Sequence, residues 1–159
     1  MGVEENKATV QMFYDEVLNR GNLDVIDKMT AENYVDHTAP PGMPPGREGE
    51  KQWFTMLRMA FPDGQTTIDD IIAEGDKVAV RATMTGTHQG DVMGIPATGK
   101  PVTISGIDVT RFHEGQSVEH WGQWDMAALM QQLGVAPPPA PQAAATSEES
   151  ETPEESENE

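Results

Sequence analysis

There is no cysteine among the 159 residues, so disulfides, thiolate nucleophiles and cysteine-based zinc sites are excluded, while the redox compartment stays open. No apolar run approaches the roughly 18 to 20 residues that a membrane span requires. The opening MGVEENKATV has neither the basic start nor the apolar stretch of a secretory signal. A soluble, cytoplasmic protein is the expectation. Basic residues are scarce as well, ten against 27 acidic, for a net charge of −17. Such a surface repels phosphate backbones and anionic headgroups, and no local basic patch offsets it, so neither nucleic acid nor membrane is expected as a partner.

The composition breaks near residue 136. From Pro137 onward there is no aromatic, no Leu or Ile, and no Lys or Arg. One domain over 1–136 is expected, followed by a disordered stretch over 137–159 that is first Pro/Ala-rich and then acidic, ending TSEESETPEESENE. Seven acidic residues lie in that stretch, leaving 20 against ten basic residues in the body, a net −10. Acid excess on both parts suggests a halophilic source, where salt screens the repulsion among carboxylates.

Val10, Phe13, Tyr14, Val17 and Leu18 recur at helical spacing and Gly21 supplies a stop, which predicts a first helix. Asn22 can cap a second, short helix through Met29. Tyr34 to Asp36 reads as a short extended piece before the proline-rich APPGMPPG, and Trp53, Met56, Leu57 and Ala60 mark one side of a third helix over 47–60. After Gly64 the period becomes two. Strands are expected over 66–74, 77–88, 102–113 and 116–124, joined by the turns EGD and HEGQ and by the longer QGDVMGIPATGK. DMAALMQQLG follows as a helix with Asp125 as its cap and Gly134 as its stop. Helices first and hairpin-linked strands second predict an α+β domain with a curved antiparallel sheet folded over the helices.

This order resembles the nuclear transport factor 2-like fold, a cone enclosing a pocket. The segments YVDHTAPPG, AFPDGQTTIDDIIAEGDKVAVRATMTGTHQGDVMGIPATGK and GIDVTRFHEGQSVEHWGQWDMAALMQQLG resemble the SnoaL-like polyketide cyclase, or ester cyclase, group. That resemblance implies a cofactor-independent enzyme acting on a small, mostly apolar carbonyl compound of polyketide type, in a homodimer joined by sheet faces. It also admits a non-catalytic binding or carrier domain with the same pocket. The cyclases close a ring when an aspartate removes the proton between carbonyls. In this alignment that aspartate falls at Gly122, and the glutamine that assists it falls at Gly106.

Strand alternation puts Val78, Val80, Ala82, Met84, Gly86 and His88 on one face, Ile104, Gly106, Asp108, Thr110 and Phe112 on the next, and Val118, His120, Gly122 and Trp124 on the last. Asp108 is the sharpest candidate, because a carboxylate amid Ile107, Val109 and Phe112 is costly unless paired or used. Two readings stand: a working carboxylate with His120 or His88 as its acid/base partner, or a structural carboxylate that satisfies Thr110 or Arg81. His37, just before the proline loop, joins the catalytic candidates, whereas His113, beside a turn, reads as solvated. His37, His88, His120 and Asp108 are of the right types to ligate a metal, but no short spacing such as HxxxH links them, and no metal or other cofactor is expected. Ser105 and Ser117 lack an elbow motif, and the glycines of GTHQGDVMG precede no helix. Trp53, Met84, Gly106, Gly122 and Trp124 are the expected pocket walls, with methionines suited to an irregular apolar ligand.

Overall fold

The computed structural model describes residues 2–135, so the acidic stretch expected over 137–159 lies outside the described residues. Helix α1 (Val3–Phe13) continues without a break into a π-helical segment, Tyr14–Asn19, and the chain leaves it through Gly21 at φ +71°. Wider turns of this kind recur at functional sites, and this one begins at Tyr14. The Asn22 cap is corrected: its side chain caps nothing and instead donates to Glu16 Oε2 at 3.1 Å, so the next segment opens as a 3₁₀ turn, Leu23–Val25, before α2 (Ile26–Met29).

The short extended piece is longer than expected. Strand β1 (Thr30–Asp36) runs parallel to the last strand, pairing Thr30 with Ser117 and Asp36 with His120 across an irregular step. The sheet is therefore mixed. Sequence pattern misses this because the partner lies more than 80 residues away and no hairpin turn announces it. The third helix, α3 (Gly46–Ala60), crosses toward β1, and then β2 (Gln65–Glu74), β3 (Lys77–Thr87), β4 (Pro101–His113) and β5 (Gln116–Trp124) form antiparallel neighbours. The spatial order is β1-β5-β4-β3-β2. Helix α4 (Met126–Leu133) closes the domain, with Asp125 Oδ1 accepting from the Ala128 N–H at 2.9 Å and Gly134 stopping it at φ +78°.

Two apolar clusters hold the inner face of this sheet. Val10 and Tyr14 pack on Val78, Val80, Ala82 and Phe112, while Ala60, Phe61, Val92, Val102 and Ile104 meet Leu129 and Leu133 under α4. Trp124 packs against both clusters. Burying a valine fully, as at Val78 and Val80, contributes roughly 1.5–3 kcal/mol, and that cost of slippage fixes the register of β3. Along β4 the register then sets Gly106 opposite Trp124 and Asp108 opposite Gly122. Residues 106, 108, 122 and 124 form one block on the inner face.

Candidate active site

Asp108 enters the inner face from the middle of β4 with its side chain only 15% exposed. Its carboxylate accepts three hydrogen bonds. Tyr14 Oη donates to Oδ2 at 2.6 Å, and Trp124 Nε1–H donates to Oδ1 at 3.1 Å. His120 Nε2 stands 3.1 Å from the same Oδ1. The other ring nitrogen, Nδ1, stands 3.1 Å from Asp36 Oδ1 at the end of β1. Asp36 Oδ1 also accepts from the N–H and the hydroxyl of Thr38, both at 2.9 Å, and Thr38 Oγ1 in turn accepts from the Gly122 N–H at 3.1 Å. The result is an array, Asp36–His120–Asp108, flanked by Tyr14, Trp124 and Thr38.

The array constrains its own protons. A neutral imidazole donates from one nitrogen only, so its other lone pair would face a carboxylate; an imidazolium donates to both. Burial works against that charge, but the hydrogen bonds to Asp108 and Asp36 and their negative charges outweigh it and push the His120 pKa up to about 9. Asp36 shows the same balance from the other side: burial raises its pKa, and His120 and Thr38 overcome that and hold it below the ordinary carboxylate value. Burial first and the neighbouring Asp108 charge second keep the Tyr14 proton on its phenol. Asp108 Oδ1 is saturated by two donors, whereas Oδ2 takes only Tyr14 and keeps a lone pair for an incoming proton.

The other histidines stand apart from this array. His37 projects from the opposite side of the sheet, stacked on Trp121 with ring centroids 4.8 Å apart and 3.2 Å from Glu119 Oε1. The expectation that it joins Asp108 is corrected, because Asp36 takes the inward position and alternation turns its neighbour out. His88 is fully buried beside Phe61, where its Nδ1 accepts from the Thr98 N–H at 3.2 Å. It serves the loop after β3 and makes no hydrogen bond to Asp108, so its expected catalytic partnership is corrected too. The ligand set of His37, His88, His120 and Asp108 is not assembled. The structural partners considered for Asp108 differ as well: Arg81 is engaged by Asp70 at 2.6 Å, and neither Arg81 nor Thr110 hydrogen-bonds to Asp108.

Of the expected pocket walls, Gly106, Gly122 and Trp124 belong to the array's own surroundings. A Cβ built on Gly106 would lie 2.3 Å from Trp124 Cδ2, so the indole fills the space above that glycine. A Cβ on Gly122 would lie 2.8 Å from Asp108 Oδ1 and 3.0 Å from His120 Cε1. Met84 packs with Trp124 in the cluster under α4, and Trp53 is half-buried on α3. Surface hollows lie elsewhere: one between Gly21 and the α3 residues Phe54 and Arg58, another on the outer face beside Val35 and Arg111.

Sequence reasoning missed Tyr14, Asp36, Thr38 and Glu50. Tyr14 was concealed in an apolar stripe, although a tyrosine there carries a polar tip that needs a partner. Asp36 and Thr38 sit in YVDHTAP beside the more conspicuous His37. Glu50 was legible as a charge three residues before Trp53, on the side of α3 that carries the apolar stripe.

The helices over a curved mixed sheet, with an acid/base array on its inner face, define a nuclear transport factor 2-like α+β domain. The chain belongs to the SnoaL-like polyketide cyclase family, whose model matches residues 8–133. No curated protein sequence matches it significantly. Among solved structures it is similar to TsrD from Streptomyces laurentii, with 26% identity over 86% of this chain and 99% of that one, at a TM-score of 0.79. It is similar to IdmH from Streptomyces antibioticus, described as a candidate polyketide cyclase, with 35% identity over 82% and 99% of the two chains and a TM-score of 0.70. AclR from Streptomyces galilaeus, described as a candidate hydroxylase, shares 32% over 86% and 100%, with a TM-score of 0.74. Neighbours of similar identity thus carry different descriptions, and the reaction has to be argued from the site. Among the described residues no helix is long and apolar enough to cross a membrane.

Proposed function

We propose that the protein is a cofactor-independent enzyme of the cyclase or isomerase type, moving a proton at a carbon next to a carbonyl in a small, mostly apolar compound of polyketide type. Asp108 is the base and His120 its acid partner. The observation that carries this reading is the carboxylate above Gly122. The resemblance puts a base at position 122, and the cross-strand neighbour at position 108 brings its carboxylate there, with Oδ1 within 2.8 Å of where a side chain at 122 would begin and Oδ2 the oxygen of the same group that keeps a lone pair to accept a proton. The base moves one strand across while the inner-face location is kept. Trp124 makes the parallel substitution over Gly106, bringing an N–H donor to the same carboxylate.

The step balances within these residues. Asp108 Oδ2 takes the carbon-bound proton, and the electron pair of that bond passes to the carbonyl, giving an enolate. Protonating Asp108 removes one of the two negative charges that hold the proton on His120. With that charge gone the imidazolium is the stronger acid, and it gives its Nε2 proton to the enolate oxygen, leaving a neutral enol and a neutral imidazole; return of both protons, one to carbon and one to the ring, closes the cycle. Tyr14 stays a neutral donor throughout. Asp36 and Asp108 set against a single imidazolium leave the array net negative, which favours neutral ketones and esters over free carboxylic acids.

A second reading, a binding domain without catalysis, is favoured by the indole that fills the space over Gly106. Deuterium exchange separates the two. Incubation of neutral 1,3-dicarbonyl esters with the protein in heavy water is expected to incorporate deuterium at the acidic carbon far faster than buffer does. Binding with no acceleration of exchange would leave the carrier reading standing and remove the enzyme.

The outer face of the sheet supports the expected homodimer. Ile72, Ala79, Val109 and Trp121 lie in register across four strands as an apolar row, with the His37 ring stacked on its end. Pairing two such rows buries surface that is otherwise wet. We read the acid excess as suited to a salt-rich cytoplasm. Light scattering with melting, from low to molar potassium chloride, is expected to show a dimer whose melting temperature rises with salt. A monomer throughout, or a melting temperature that falls, overturns the respective half of this reading.

A further inference from the structure

Proton transfer engages Asp108 and the Nε2 edge of His120, and at the opposite edge of the ring stands Asp36, the last residue of β1. The parallel register sets Asp36 beside His120, and the next N–H in the chain, that of His37, donates to the His120 carbonyl at 2.9 Å. Asp36 Oδ1 meets the ring at Nδ1, 3.1 Å away, and accepts as well from the Thr38 N–H and the Thr38 hydroxyl, each at 2.9 Å. The bond from the Thr38 N–H closes a local turn on the aspartate side chain. The hydroxyl is fixed in its turn, because its oxygen accepts from the Gly122 N–H at 3.1 Å and its proton is directed at Asp36. Thr38 thus holds one carboxylate oxygen with two donors and presents it to the ring. Glu50 on α3, whose Oε2 is buried with no hydrogen-bond partner among the described residues, makes no hydrogen bond to the imidazole. The carboxylates that do are Asp36 from β1 and Asp108 from β4.

These two carboxylates stop being equivalent during the reaction. Both are anions at the start, and the imidazolium donates to each. Once Asp108 has taken the carbon-bound proton it is neutral, and Asp36 is the anion that stays hydrogen-bonded to the ring. Hydrogen bonds to an ionised acceptor are roughly twice as strong as neutral ones. The ring therefore keeps the proton on Nδ1, against Asp36, and releases the one on Nε2, on the side of Asp108. Burial raises the Asp36 pKa, but the hydrogen bonds from His120 and Thr38 outweigh it and hold this carboxyl below its ordinary value.

We propose that Asp36, locked by Thr38, is a positioning residue that holds His120 by Nδ1 throughout the reaction and so makes Nε2 the nitrogen that gives up its proton and takes it back. This rests on the reading of the array as the proton-transfer site, but the choice of nitrogen can be read without turnover.

Asp108→Asn reproduces the charge state in the middle of the reaction, with position 108 neutral and Asp36 an anion. The test is nitrogen nuclear magnetic resonance of the histidine rings in the whole chain carrying that substitution, taken to a pH above the His120 titration, with exposed His113 as the internal reference. The neutral His120 ring is expected to carry its proton on Nδ1. A proton on Nε2, or an even mixture of the two forms, overturns the proposal. In Asp36→Asn the Thr38 donors still hold an oxygen in the same place without its charge, so the His120 titration should fall by about one pH unit or more while His113 stays put. If the Asp108→Asn protein fails to fold, this second variant decides, because an unchanged His120 titration in folded Asp36→Asn protein also overturns the proposal. Where turnover is measured, Asp36→Asn should lower kcat by about tenfold or more with KM little changed, since Asp36 acts on the ring from the edge away from Asp108. Thr38→Val should lower kcat in the same sense and Thr38→Ser restore it. A rise in KM alone in these variants would make the pair a substrate contact and overturn the positioning role. A ring proton on Nδ1, in a protein whose wild type exchanges no substrate hydrogen, would uphold the orientation and count against the enzyme instead.

Discussion

Asp108→Asn is expected to lower kcat/KM by about a hundredfold or more while leaving the fold intact, since removing a positioned base typically costs 10²- to 10⁴-fold. Asparagine matches aspartate in size, and its amide oxygen can still accept from His120 and Trp124. The other position changes character. An amide nitrogen there donates, so Tyr14 must turn from donor to acceptor, which a phenol can do. What is lost is the capacity to accept a proton. His120→Gln is expected to be nearly as damaging, and His113→Gln, at an exposed turn, close to silent. A structural Asp108 gives a different pattern, with turnover preserved in a well-folded Asp108→Asn protein, or melting temperature and activity falling together. Full activity in the folded variant would dispose of the mechanism.

The stability of the protein is expected to decline as pH rises through two windows. His120 has a folded-state pKa raised from 6.5 to about 9, so between those values the folded chain holds a proton that the unfolded chain has released. The stabilisation is fully present below 6.5 and is lost as pH passes about 9. A difference of that size corresponds to roughly 3 kcal/mol, or ~10 °C in melting temperature for a domain of this length. Glu50 acts in the same direction at lower pH. Its pKa is raised by burial from 4.5 to about 7, so the folded chain again holds the extra proton, and stability falls as this carboxyl ionises. Melting curves recorded from pH 5 to 10 check both windows. His120→Gln should flatten the upper one and Glu50→Gln the lower one. A melting temperature level from pH 6 to 10 would show that the imidazolium is not held by its two carboxylates.

Much of this site was legible residue by residue and little of it as an arrangement. Asp108 stood out because an acidic residue inside a β-branched run violates the pattern around it. His120 followed from strand alternation together with the resemblance, since it shares a face with Gly122, where the resemblance puts the family's base. His37 was conspicuous for the opposite reason: it lies in a telling motif, yet the motif's inward residue is Asp36. One position in a strand reverses a side chain, and only the parallel pairing of β1 with β5 says which of the two neighbours faces in. Tyr14 was readable as buried but not as a partner of Asp108, because 94 residues separate them.

By itself the sequence determined the first and third helices, the four antiparallel strands and the capped last helix, since those follow from local periodicity, turn residues and caps that act within a few positions. It determined too that position 108 carries a carboxylate in an apolar setting and that positions 106 and 122 have no side chain. The tertiary structure decided the rest. It placed the Trp124 indole over one glycine and the Asp108 carboxylate over the other, set His120 between two aspartates from different strands, and buried the Glu50 carboxyl of α3. Hydrogen bonds across 84 or more residues, and the charge states they impose, depend on which surfaces meet when the sheet curls over the helices, and no local pattern along the chain encodes that.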